Sequence, residues 1–153
     1  MPELIIGVIS VVVIAFITWI YMSNKQHKNT KTNVIHILEK YGKVSFDQHK
    51  IYFKKDTKTY EILFYRVART HELTINSKYI WEVHMKGRSV LINQINFLKS
   101  DYSKLIIIYP LETKIKRYIN ENEMEFVNYR DEFYNMRLIK EHELELLLSE
   151  VII

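Results

Sequence analysis

Six residues, Lys104 to Tyr109 (KLIIIY), run without polar alternation and stop at Pro110. A short run this rich in β-branched residues reads as a central strand buried on both faces. Such a strand needs helices on its faces. Upstream, Ser89 is placed to cap a helix in which Leu91, Ile95 and Leu98 line one stripe, broadened by Val90, Ile92 and Phe97. Before it, a strand is expected from Leu73 to about Met85, with Tyr79, Trp81 and Val83 on one face and Ile80, Glu82 and His84 on the other. Further back, Val44, Phe46, Ile51 and Phe53, then Tyr60, Ile62 and Phe64, recur at even spacings around a polar tip from Lys54 to Lys58, which reads as a hairpin. Thr32 or Asn33 can cap a first helix carrying Val34, Ile35, Ile37, Leu38 and Tyr41, and Gly42 stands where a terminating glycine belongs.

Downstream of Pro110, Glu112 to Asn122 reads as an amphipathic helix and Met124 to Tyr129 as a short strand. Met136 to Ile139 follows as another strand, and Glu141 to Glu150 as a closing helix. The expected fold class is therefore α/β: residues 32–153 form one αβββαβ-type domain with a mixed central sheet flanked by helices.

In front of this domain stands Leu4 to Met22, nineteen residues without a charge. At about 1.5 Å rise per residue the run reaches roughly 28 Å, the hydrocarbon thickness of a bilayer. Met-Pro-Glu offers no positive leader, the run exceeds a signal-peptide core, and no A-x-A-like site follows. Residues 1–22 thus read as a single transmembrane anchor and 23–31 as a polar juxtamembrane linker. Lys25, Lys28 and Lys31 flank only the C-terminal end, so the positive-inside bias puts the N-terminus outside the cell membrane and residues 32–153 in the cytoplasm. The anchor has neither a G-x-x-x-G seam nor an ionisable residue, which leaves the lipid bilayer as its expected partner.

Composition narrows the chemistry. The chain has no cysteine, which excludes disulfides, thiolate metal sites and cysteine nucleophiles. Only three glycines are present, without a phosphate loop, so no nucleotide cofactor is expected. After Met22 the chain carries 22 basic against 17 acidic residues, a mild excess. Lys54, Lys55 and Lys58 at the hairpin tip, with Arg66 and Arg69, are the candidates for a phosphate or nucleic-acid surface. The six histidines are dispersed, with no metal-binding spacing among them.

The order from Val34 to Tyr109, a helix, an antiparallel meander, a helix and a buried strand, resembles the core of the restriction-endonuclease-like fold, the PD-(D/E)xK nuclease superfamily. The resemblance implies an acid near the start of the second strand and an E-x-K on the third, together binding a divalent metal, with a glutamate from the first helix and a glutamine from the next. On this sequence those positions fall on Glu61, Glu82, Glu39 and Gln94. The chain departs from the pattern at the lysine: Glu82-Val83-His84 has histidine there, with Lys86 two residues on. Glu61 also stands for an aspartate, and the preceding P-D pair is absent.

Two functions follow. One is a non-catalytic, membrane-anchored interaction module of nuclease-like fold, binding a protein or nucleic acid. The other is a membrane-tethered nuclease in which Glu61 and Glu82 hold Mg²⁺ or Mn²⁺ and His84 or Lys86 orients water, with Glu39 and Gln94 assisting. In the plainer reading, Glu82, His84 and Lys86 are the solvated face of a strand. The nuclease requires Glu61 and Glu82 to converge.

Overall fold

The structure is a computed structural model that describes the backbone of residues 2–150 and the side chains of residues 9–150. Of the apolar run, the side chains of Leu4 to Val8 lie outside the described residues. The first element is one helix, α1, Pro2–Tyr41. It is long and apolar enough to cross a membrane by length and composition. The described apolar side chains of its first part, from Ile9 to Met22, among them Val11, Ile14, Ile17 and Trp19, are exposed.

The expected linker at 23–31 is helical, without a break before Val34. No glycine or proline occurs between Val8 and Tyr41 to interrupt the hydrogen-bond ladder. Thr32, expected as a cap, instead donates its hydroxyl to the Lys28 carbonyl at 3.0 Å, the i−4 bond typical of a helix interior. Packing nonetheless divides the chain between Asn33 and Val34.

The unit after that boundary contains two five-stranded sheets. The first comprises β1 (Lys43–Asp47), β2 (Lys50–Lys55), β3 (Lys58–Arg66), β7 (Ser103–Tyr109) and β10 (Met136–Lys140), in that spatial order. Strands β1, β2 and β3 form an antiparallel meander, and β3, β7 and β10 run parallel. The second comprises β4 (Glu72–Ile75), β5 (Ile80–Met85), β6 (Arg88–Asn93), β8 (Ile115–Asn120) and β9 (Glu123–Val127), in the order β6-β5-β4-β8-β9. Two short helices, α2 (Ile95–Leu98) and α3 (Leu144–Ser149), complete the unit.

KLIIIY lies in β7, an interior strand between β3 and β10 that is buried on both faces, as its composition requires. Leu105 and Ile107 enter a core with Val34 and Leu38 from the end of α1 and with Leu144, Leu147 and Leu148 from α3. Ile106 and Ile108 enter a second core with Leu73, Ile75, Trp81, Val83 and Ile115. One face is thus covered by helices, as expected, but the other by the second sheet. Tyr65 and Trp81 meet edge-on across this second core, with ring centroids 5.6 Å apart.

Four expectations are corrected. The first hairpin is a three-stranded meander, because the chain also turns at Gln48, in left-handed conformation at φ 51°. The expected strand from Leu73 to Met85 is two, paired across Asn76 to Tyr79. Of the run expected as a helix after Ser89, only Ile95–Leu98 is helical, as α2, and the part before it is β6. Gly87, at φ +81°, closes a two-residue turn that folds Arg88–Asn93 back on β5, setting Val90 opposite Val83 and Ile92 opposite Trp81. Glu112 to Asn122 likewise yields β8, returned to β9 by a turn in which Asn120 Oδ1 accepts the Asn122 N–H at 3.0 Å. In both stretches a few apolar residues fit either periodicity, and neighbouring strands decide between them.

Candidate functional site

Strand β3 alternates Glu61, Leu63 and Tyr65 on the face toward the second sheet, while β7 alternates Lys104, Ile106 and Ile108 on the same face. Parallel register sets Glu61 beside Lys104, near the start of β7. Both residues are 2% exposed. Lys104 Nζ donates to Glu61 Oε2 at 2.8 Å and to the Ser100 carbonyl at 3.1 Å. The Ser100 hydroxyl donates to the same carboxylate oxygen and contacts Lys104 Nζ. Lys50, which opens β2, brings its ammonium to within 3.2 Å of Glu61 Oε1. Above the pair, Phe97 of α2 places its ring 5.2 Å from Lys104 Nζ. Beside it, Tyr52 packs edge-on to Tyr102 at 5.1 Å.

Burial alone would push the Glu61 carboxyl up. The hydrogen bonds from Lys104 and Ser100, the Lys104 charge and the hydrogen bond from Lys50 together outweigh it and hold the group below the ordinary carboxylate range. Both carboxylate oxygens are therefore engaged by cations. Ser100 next to Lys104 has the composition of a serine nucleophile with a lysine base, but the Ser100 hydroxyl donates to Glu61 rather than to Lys104, and Lys104 donates to the same carboxylate. The arrangement is suited to fixing β3, β7 and the segment after α2 against one another.

Glu82, His84 and Lys86 do not join this cluster. Glu82 and His84 lie on β5 in the second sheet, on the face turned away from Trp81 and Val83, and Lys86 occupies the exposed turn before β6. Glu82 Oε2 accepts from Asn76 Nδ2 at 3.1 Å and lies 3.6 Å from His84 Nε2. His84 Nδ1 shares a 2.9 Å hydrogen bond with the Ser89 hydroxyl. The Asn76 hydrogen bond is the main cause lowering the Glu82 carboxyl pKa. Glu39 is exposed on α1, and Gln94 precedes α2 without capping it by its side chain. The six candidates taken from the nuclease pattern thus occupy several places, and Glu61 and Glu82 belong to different sheets. Among the described residues no three His, Asp or Glu side chains converge as metal ligands.

The basic candidates separate as well. Lys54, Lys55 and Lys58 sit where β2 turns into β3, whereas Arg66 ends β3, about 26 Å further along at ~3.3 Å per residue. Lys55 donates to the Leu148 carbonyl at 3.2 Å, Lys58 approaches Glu132 at 3.9 Å and Arg69 approaches Glu112 at 3.5 Å. They form no single basic surface.

Sequence reasoning passes over Lys104, Lys50 and Ser100. A signal for Lys104 exists: it heads the run KLIIIY, whose following residues are expected to be buried, and a lysine in that position must be paired when buried. Nothing local marks Ser100.

The outward face of the second sheet has a different character. One cross-strand row runs Leu91, Glu82, Thr74, Lys116, Phe126; two residues further along lie Ile80, whose carbonyl accepts the Asn76 N–H, and the pair Tyr118 and Met124. Polar groups hold the centre, where Thr74 is buried beneath its neighbours. Apolar groups hold the margins, with Leu91 66%, Phe126 57%, Met124 49% and Ile80 44% exposed. The chain matches no known protein family, no curated protein and no solved structure.

Proposed function

We propose that this chain is a membrane-anchored interaction module whose soluble part faces the cytoplasm and binds a protein through the outward face of its second sheet. The observation that carries the reading is that face itself: large apolar side chains exposed at both margins of a sheet whose opposite side carries the core residues Leu73, Ile75, Trp81, Val83 and Ile115. An apolar-rimmed surface with few charges suits a protein partner better than a phosphate backbone, and the separation of the lysine and arginine clusters supports the same choice. The orientation rests on Lys25, Lys28 and Lys31, which follow the apolar run without counterparts before it.

For the fold, we infer a divergent restriction-endonuclease-like core. What supports it is the first sheet taken alone: the end of α1, the meander β1-β2-β3, then α2 and the parallel strand β7, with β4 to β6 as an insertion. With strands so assigned, Glu61 takes the place of the E of the E-x-K on the third strand, with Leu63 at the lysine position. The second strand, KIYFKK, has no acid. The metal-dependent nuclease loses its second ligand on this reading, and the binding role is favoured.

The test is a photo-reactive side chain placed at Leu91 or at Phe126 in the full chain, expressed in its own cells. The expected result is a discrete protein adduct from both positions and none from Lys54. Equal labelling from all three, or none from Leu91 and Phe126, would overturn the proposal. Loss of DNA or RNA on incubation with Mg²⁺ or Mn²⁺, abolished by Glu61→Gln, would revive the nuclease instead.

A further inference from the structure

Two five-stranded sheets have four edges, and the edges are not alike. Strand β10 is buried along its length apart from Lys140. Strand β9 carries Glu123 and Glu125, so that two copies laid antiparallel about Glu125 set like charges together. Strand β6 has Arg88 at one end and no acid to answer it. Strand β1, KVSFD, is the exception. Four of its five residues are exposed, Phe46 by 60%, and Lys43 has no ion-pair partner among the described residues.

We propose that β1 pairs antiparallel with β1 of a second copy of this chain, about a two-fold axis through Ser45, joining the two first sheets into one ten-stranded sheet. This inference stands independently of the partner surface on the second sheet.

The hydrogen-bonding parity permits this register. A two-residue turn makes Asp47 and Lys50 the closing hydrogen-bonded pair of the β1–β2 hairpin. By alternation, Ser45 and Lys43 also direct their backbone groups to β2, while Val44 and Phe46 present theirs to the open side. Antiparallel pairing about Ser45 sets Val44 opposite Phe46 of the second copy, and Phe46 opposite its Val44. The outward-pointing N–H and C=O groups thus meet each other.

The side chains match in the same register. Lys43 falls opposite Asp47 of the second copy, and Asp47 opposite its Lys43, giving two opposite-charge pairs related by symmetry. Val44 and Phe46 share the face that carries Ile51 and Phe53, so each Phe46 lies over an apolar neighbour of the second copy. A lysine on an edge strand usually guards against pairing. In this register alone it is neutralised.

The absence of native cysteine allows a direct test. Facing residues at a non-hydrogen-bonded site have Cα atoms about 4.5 Å apart, within disulfide reach. The full chain carrying Ser45→Cys, reconstituted in liposomes and mildly oxidised, is expected to cross-link to a dimer about ten-fold faster than Leu91→Cys on β6. Lys43→Asp or Asp47→Lys, each added to Ser45→Cys, should slow the reaction about ten-fold by creating two like-charge pairs. Mixing those two variants restores both opposite-charge pairs and should restore the rate, a rescue that misfolding would not give. Equal cross-linking from Ser45→Cys and Leu91→Cys, faster cross-linking through β6, or no recovery on mixing would each overturn the proposal.

Discussion

The two sheets share a core but differ on their other sides. The first is closed apart from its edge strand β1: helices cover one face, the second sheet covers the other, and a charged cluster is sealed within it. The second is closed on one face and open on the other. A side chain on the first sheet is therefore held mainly by what it touches, whereas the outward residues of the second serve stability little and are free to serve recognition. Substitutions on the two sheets should separate accordingly.

The largest effect belongs to the sealed cluster. Lys104→Met leaves Glu61 buried with only the half-exposed Lys50 as cation, and should cost about 3 kcal/mol of domain stability. Adding Glu61→Leu should recover most of that loss, since an apolar pair replaces an ion pair at the same place. Urea unfolding followed by Trp81, fully buried in the shared core, reads both values once Trp19 is replaced by phenylalanine.

The two described glycines outside α1 sharpen the contrast. A Cβ on Gly42 would lie 2.4 Å from the Lys54 carbonyl oxygen and 2.8 Å from the Phe53 ring. Gly42→Ala should therefore cost about 1–3 kcal/mol through collision, where the end of α1 meets the first sheet. Gly87 in the second sheet has open space around it and matters only for its φ of +81°. Gly87→Ala should cost about 1 kcal/mol, and Gly87→Asn less, because asparagine tolerates that conformation.

Acid should act through the first sheet too. The Glu61 carboxyl is held below its ordinary value of 4.5 in the folded chain, so its contribution is complete above that pH. It is lost as the pH falls through the lower folded value. Glu61→Gln should flatten the stability profile below pH 4.5, checked by urea midpoints across that window.

The central strand was legible because Leu105 to Ile108 allow only one environment, and the closing helix because Leu144, Leu147 and Leu148 keep a helical spacing. The anchor run was legible as an apolar helix; its continuation through 23–31 was not, since polar residues without glycine or proline permit either state. Val90 to Asn93 and Ile115 to Asn120 are strands where a helix is expected, for a different reason. Their apolar residues suit helix or strand, and the deciding contacts, Ile92 with Trp81 and Ile115 with Leu73, lie across other strands. Glu61 is singled out by the nuclease resemblance. Its partners are not, because Lys50 and the Ser100–Lys104 segment approach it from two separate parts of the chain. Glu82 and His84 share a strand face as their spacing required, but the topology puts them on the other sheet.

The smallest stability effect carries the most functional weight. Leu91→Ser with Phe126→Ser should change the urea midpoint by no more than about 0.5 kcal/mol equivalent, because both side chains already face solvent. The most direct measurement combines this variant with a photo-reactive residue at Met124 in the full, membrane-embedded chain. An unchanged midpoint with loss of the protein adduct is the predicted result. Retention of the adduct, or its loss only together with the fold, would contradict the assignment of the outward face as the binding surface.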